Sequence, residues 1–400
     1  MAVKKIPPFM GMDNLREDAA LEVGGNSPHL FVRDAVNINF TETGRVEMRA
    51  GISKITDSAF EFMWQSPLHG DCFAKLNQDW VKIDPQDWSF KVLIQDIAQG
   101  RVEHIVLNNR VLMCCETGLY VYDGIEARTF TIDTPAAPIL NQVSHYSGGL
   151  SAGTYAVAIS WVNANGMESA LSELTNLTVS ENSAFEIVLP YCFDRNVSHV
   201  KLYITDHEGG ELLEYESLDI TNSSAMINSV QNLSRSAANR HLTPMRSGHS
   251  LALWRGRLMV ADRNVLYFSE PMNYHLMDSR FNFVQFPQRI RFAIPVDAGI
   301  WVGQQDHVVF LRGNDLKGMV MERKASQAPI PHSAMLLSSK DVSAEISQGG
   351  LFSALWLANG YVIGTASGQI VELHRQNLKQ IHAENGQSVG LGGRILTLVS

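Results

Sequence analysis

Five short hairpins of one kind recur along this chain, and they narrow its possible folds more than any other feature. Each is a turn with Gly or Asn, a short apolar strand, a polar gap and a second apolar strand. The copies lie at 109–113 with 118–122, 256–260 with 265–268, 299–303 with 307–311, and 360–364 with 369–373. A weaker fifth at 71–75 with 79–83 keeps the strand-turn-strand form without the glycine. A hairpin of this size cannot cover both of its faces, so each is expected to be the middle of a small sheet, and the sheets to stack radially as propeller blades. The glycines that open the last three clear copies are 43 and 61 positions apart, near or above a blade period of ~40–50 residues.

The gap between the second and third hairpins has a different character. It opens with the Pro-rich linker 134–138 and is rich in Ser, Thr and Asn. Within it Tyr155, Val157, Ile159 and Trp161 alternate on one face before the turn 163–166, and Val200, Leu202 and Ile204 alternate again. Short strands at this spacing fit an immunoglobulin or fibronectin III-like β-sandwich with Trp161 in its core. The expected fold is therefore all-β: an N-terminal arm and first part of a β-propeller over 1–134, an inserted sandwich module over 135–234, and the rest of the propeller over 235–400. Helix is expected only at 13–21, where Asp13 would cap two turns.

Lys and Arg number 32 against 41 Asp and Glu, a net charge of −9, the wrong sign for a chain that grips phosphates over most of its surface. The start of the chain reaches Pro7, Pro8 and Asp13 without an apolar run, so no secretory signal is expected. Cys72, Cys114, Cys115 and Cys192 lack zinc-type spacing and read as free thiols; on a strand, Cys114 and Cys115 would face opposite ways.

Chemistry-bearing motifs are scarce. The chain carries no nucleophile elbow, phosphate loop, His-Glu-x-x-His or EF-hand loop. His69, Gly70, Asp71 and Cys72 form half of a ligand set without a second half, and His199 and His207 flank a strand and its turn. The Gly-rich run Gly390, Leu391, Gly392, Gly393 precedes a strand and not a helix, so it reads as a turn. No catalytic, cofactor-binding or metal-binding residue is assigned, and the chain is read as a non-enzyme without cofactors.

Three stretches carry a resemblance: 33–51, with its Thr43-Gly44-Arg45 turn; 253–273, with Trp254-Arg255-Gly256-Arg257-Leu258 and Ser269-Glu270-Pro271; and 354–368, with Asn359-Gly360 and Gly364-Thr365. They are similar to stretches of the tail-nozzle and tail-hub, or DNA-stabilisation, proteins of tailed phages, in which 163–169 also recurs; Ala50 stands where that family usually has proline. The resemblance implies a virion protein of the phage tail, made in the host cytoplasm and assembled as a homo-oligomeric cyclic ring. The ring would contact portal, adaptor and other tail proteins, with tail fibres as further partners, retain packaged DNA and pass it through the lumen without specific binding. No membrane insertion is expected. The alternative is a glycan-binding receptor at the tail tip presenting Trp64, Trp80 and Trp88, with a glycan hydrolase a weaker reading. Were a loop to grip DNA, Arg289, Arg291 and Arg312 would be first in line; as edge charges they are otherwise ordinary.

Overall fold

The computed structural model describes residues 6–24, 28–51, 53–68, 70–143, 148–324, 327–347, 349–373, 375–379, 381–391 and 394–400. Almost everything ordered is β. Five four-stranded antiparallel meanders form the body. Sheet I is Phe60–Gln65, Cys72–Leu76, Asp79–Ile83 and Phe90–Ile94, and sheet II is Glu103–Leu107, Arg110–Cys114, Leu119–Tyr122 and Ala127–Thr129. Sheet III is Ser250–Trp254, Arg257–Asp262, Val265–Phe268 and Phe283–Gln285. Sheet IV is Ile290–Val296, Gly299–Gln304, Val308–Arg312 and Val320–Lys324. Sheet V is Met335–Ser338, Phe352–Leu357, Tyr361–Gly364 and Ile370–Glu372. A hairpin of Gly386–Leu391 and Arg394–Val399 follows. Four of the five sequence hairpins are the two middle strands of their sheets; the one in sheet V is the outer pair.

Consecutive sheets pack face to face, so most are buried on both sides. In sheet II, Val111, Met113 and Cys115 meet Phe73 and Trp80 of sheet I, while Leu112 and Cys114 meet Leu251, Leu258 and Val260 of sheet III. The vicinal cysteines thus sit in two different sheet junctions, as strand alternation requires. Sheet IV does the same: Val309 and Leu311 face sheet III, Val308 and Phe310 face sheet V. Two-sided burial explains why these strands read as unbroken apolar runs where a one-sided sheet would alternate. Between sheets IV and V the approach is so close that a Cβ on Gly364 would lie 2.5 Å from the Trp301 ring.

The direction of the first strands follows from their polar contacts. Glu103 Oε2 accepts from Leu251 N at 2.6 Å, His249 Nε2 pairs with Ile290 O at 2.9 Å, an Arg291 guanidinium N–H donates to Pro329 O, and Gly386 N donates to Pro331 O at 2.8 Å. The first two pairs join the starts of the first strands of sheets II, III and IV, and the last two join the segment leading into sheet V to sheet IV and to the final hairpin. At the other end Arg255 Nη2 donates to Asp297 O at 2.9 Å, and Asp297 Oδ2 accepts from Leu351 N and Phe352 N. The first strands therefore run side by side in one direction around a common axis, a propeller-like arrangement.

Residues 139–227 form a separate pair of sheets. One holds Ile139–Val143, Ala184–Val188 and Ser224–Ile227; the other holds Thr175–Val179, Gly153–Asn163, Val197–Thr205 and Leu212–Asp219. Tyr155, Val157, Ile159, Trp161, Val200 and Leu202 from one sheet pack against Phe185, Ile187 and Ile227 from the other.

The ends depart from expectation. The helix expected over 13–21 is reduced to a single 3-10 turn, Asp18–Ala20. Asp13 is fully buried, accepts from Leu15 N and Arg16 N, pairs with Arg16, and is bonded by Asn377 Nδ2; its side chain fastens the arm instead of capping a helix. Phe9–Met12 runs parallel to His29–Val32, and Ile38–Phe40 forms a hairpin with Val46–Met48. The early strand Ile38–Phe40 and the last strand do not pair with each other: Ile38–Phe40 pairs with Val46–Met48 and Arg394–Val399 with Gly386–Leu391. The ends are joined by Asn14 and Asp13 to residues 377–379.

Candidate functional site

The first strands of all five sheets and the final hairpin enclose one cavity of about 1070 Å³. Its walls are mainly apolar, with Phe62 and Trp64 from sheet I, Leu251 and Leu253 from sheet III, Phe292 and Ile294 from sheet IV and Met335 from sheet V. This is ample for a small ligand. It is also the wrong lining for a duplex carrying one charge about every 1.7 Å.

The polar groups of the wall are mostly engaged. His104 stacks on Trp64 at 5.5 Å, its Nε2 accepts from Trp80 Nε1 at 3.1 Å, and burial pushes its imidazole down to about 3. It is a neutral core histidine. Glu103 is held between Arg101 and Leu251 N. At the far end Arg255 is tied to Asp297 and Asn314.

The near end is different. Arg101, His249, Arg289 and His332 each lie one to three positions before the first strand of sheets II, III, IV and V, so the fold gathers them at one mouth. Burial, together with Arg101, His249 and Arg289, pushes the His332 imidazole down to about 4. His332 holds φ at +63°, an unusual backbone conformation for this residue, and its ring meets the edge of Phe62 at 6.2 Å.

A second polar cluster roots the inserted unit on the body. Glu168 Oε1 accepts from Tyr203 OH at 2.6 Å, Ser160 Oγ at 2.7 Å and Asn239 Nδ2 at 3.1 Å, and Oε2 pairs with Lys201 Nζ at 3.1 Å. Burial works to raise the Glu168 carboxyl, but the hydrogen bonds from Tyr203, Ser160 and Lys201 outweigh it and hold it below its ordinary value. The main-chain oxygen of Glu168 accepts from His275 Nε2 at 2.8 Å, across from sheet III. All three Glu168 oxygens are used, so the cluster reads as a fastening.

The residues singled out from sequence do not converge. His69, Gly392 and Gly393 lie outside the described residues. Asp71 pairs with Lys82 at 3.1 Å, and Cys72 is buried in sheet I with its thiol pushed up by burial. All four cysteines are free. His199 bonds Ser198 Oγ within its strand, and His207 bonds Ala152 O beyond it. The expected aromatic platform is absent as drawn: Trp80 is fully buried, Trp64 stacks on His104, and Trp88 packs on the Cys72–Ala74–Val81–Ile83 core. Arg312 is neutralised by Glu322 at 2.5 Å, Arg291 is spent on a carbonyl, and Arg289 is exposed. Among the described residues no group of three or more His, Cys, Asp or Glu could hold a metal ion, and no helix is long and apolar enough to cross a membrane.

No protein-family model matches the chain, and no curated protein matches it. Among solved structures it is similar to BBS1N in complex with ARL6DN, at 12% identity over 86% of this chain and 90% of that one, TM-score 0.36. It is also similar to the fission yeast SREBP–SCAP binding domains, at 11% identity over 92% and 97%, TM-score 0.33. A third likeness is to Sqt1 of Saccharomyces cerevisiae, at 8% identity over 80% and 74%, TM-score 0.32. TM-scores this low carry no argument about this chain, whose all-β, propeller-like architecture rests on its own strand pairing and sheet junctions.

Proposed function

We propose that this chain is a structural subunit of a phage tail, a closed β-propeller with an inserted immunoglobulin-like module, assembled as a cyclic ring of the nozzle or hub type. Its work is mechanical: the ring retains packaged DNA, lets it pass, and contacts neighbouring tail proteins. DNA would run through the lumen of the ring, since the cavity within one chain is small and apolar. Support comes from where the three family-like stretches fall. Residues 33–51 contain the exposed N-terminal hairpin, 253–273 contain the inner strands of sheet III, and 354–368 contain the core strands of sheet V; all are architectural positions.

The observation that carries the ring is the arm. Met48 is 88% exposed, and Val36, Val46 and Ile55 on the same stretch of chain are exposed too, apolar surface of the kind that subunit contacts cover. A net charge of −9 suits a lumen that repels phosphate and lets a duplex slide. A second reading, a tail-tip glycan binder, is favoured by one feature: Tyr191 and Phe193 are 79% and 88% exposed and meet edge to face at 4.8 Å on the inserted module. Electron microscopy of the purified protein and of virions tests both. Closed rings on the tail axis are expected; a monomer in solution with off-axis density at the tip overturns the ring and leaves the binder.

A further inference from the structure

The mouth of the axial cavity has a charge pattern that neither structural reading uses. Three carboxylates at this end are occupied: Glu103 by Arg101 and Leu251 N, Glu116 by the N–H groups of Gln99 and Gly100, and Asp306 by His307; Asp262, beside the start of sheet III, has no described ion pair. The cations are not all matched. Arg101 spends one terminal nitrogen on Glu103, while its Nε is buried with no hydrogen-bond partner among the described residues. Arg289 is exposed with no described ion pair, and the ring of His332, which lines the cavity, meets only Phe62. A buried cationic donor without an acceptor is costly; Arg101 is one, and together with the exposed guanidinium of Arg289 and the uncharged, hydrogen-bonding imidazole of His332 at the same opening it leaves a place for an anion.

Inside that opening the cavity continues as apolar wall. Phe62, Trp64, Leu251, Phe292, Ile294 and Met335 line it; of the polar groups among them Glu103 and His104 Nε2 have partners, while His104 Nδ1 and Trp254 Nε1 are buried without one. A guest whose polar groups are spread along its length, such as a peptide, would bring an amide at every residue to be satisfied. A guest with one charged end and an unbroken apolar body matches the walls without that cost. The geometry points to a binding site for an amphipathic carboxylate, its apolar chain along the axial cavity and its carboxylate at the mouth formed by Arg101, Arg289 and His332. The site is independent of the ring: a monomer would hold it as well as a closed assembly.

The test uses the full chain with dodecanoate as probe, read by calorimetry and by quenching of tryptophan emission, since Trp64 lines the cavity. Saturable 1:1 binding is expected, with dodecan-1-ol weaker by about tenfold or more because it lacks the charge. His332→Asn tolerates the left-handed backbone and Arg289→Gln alters an exposed side chain, so both should fold; each should weaken dodecanoate by roughly threefold, and Arg101→Gln by about tenfold. Leu253→Trp, which fills the cavity from a partly exposed position, should abolish binding of the chain. Absence of saturable binding, equal affinity for the alcohol, indifference to Leu253→Trp, or tighter capture of an apolar acidic peptide such as acetyl-Val-Leu-Val-Leu-Glu would each overturn the assignment.

Discussion

The junction between sheets IV and V and the two ends of the chain use similar residue types to opposite effect. At the junction Trp301 and Trp356 lie 5.6 Å apart and fully buried, Trp301 Nε1 donates to Thr365 O at 3.0 Å, and Gly364 leaves room for the ring. At the ends Met48, Val46, Leu398 and Leu391 stand in solvent on two-stranded hairpins. A hairpin alone has one face too many and two unpaired edges. The body resolves that by stacking sheets. The ends do not, so this is where surface remains for other chains.

The comparison breaks first, if it breaks at all, in the wall. Trp301→Ala should cost about 3–5 kcal/mol of stability in denaturant unfolding. A loss under about 1 kcal/mol would mean the junction can collapse around the gap and does not hold the body together.

A smaller effect sharpens it through pH. His104 titrates near 3 in the folded chain because burial disfavours its charge, against about 6.5 unfolded. The unfolded chain therefore takes up a proton that the folded one refuses, so stability is intact above about 6.5 and falls as pH drops toward 3, by a few kcal/mol in all. His332, pushed to about 4, adds in the same direction. His104→Gln keeps an acceptor for Trp80 and should move the acid-unfolding midpoint to lower pH. An unmoved midpoint would place the acid sensitivity outside this wall.

The smallest effect belongs to the ends. Met48→Ser and Leu398→Ser should each change stability of the isolated chain by no more than about 0.5 kcal/mol, measured by the same unfolding curves. A loss above about 2 kcal/mol would show that these hairpins belong to the core after all.

What the sequence discloses follows the same division. The five hairpins, the two-faced cysteine pair and Trp161 were legible because local alternation and turn residues encode them. The first strands were harder to read: Phe60–Gln65 shows only partial burial, because one of its edges faces the cavity. The mouth was not legible at all. Arg101, His249, Arg289 and His332 are spread over 232 positions of chain, and only the shared direction of the first strands brings them together. Of the incomplete ligand-like run 69–72, Asp71 carries an ion pair and Cys72 begins a strand. The exposed aromatics that matter for a glycan reading, Tyr191 and Phe193, lie in a loop with no periodic signal.

The inserted unit also bears on how the chain reaches its fold. Sheets II and III touch through Glu103 and Leu251, 148 positions apart, the kind of long-range closure that slows folding. Yet Ile132 and Leu233, near the two ends of the insertion, pack on one core. Once that unit has formed, the chain between sheets II and III behaves as a short connection, and the entropy of closing it is correspondingly small. In that order of events the insertion is a splint: it brings the two halves of the body within reach and leaves the II–III junction to form as a nearly local event.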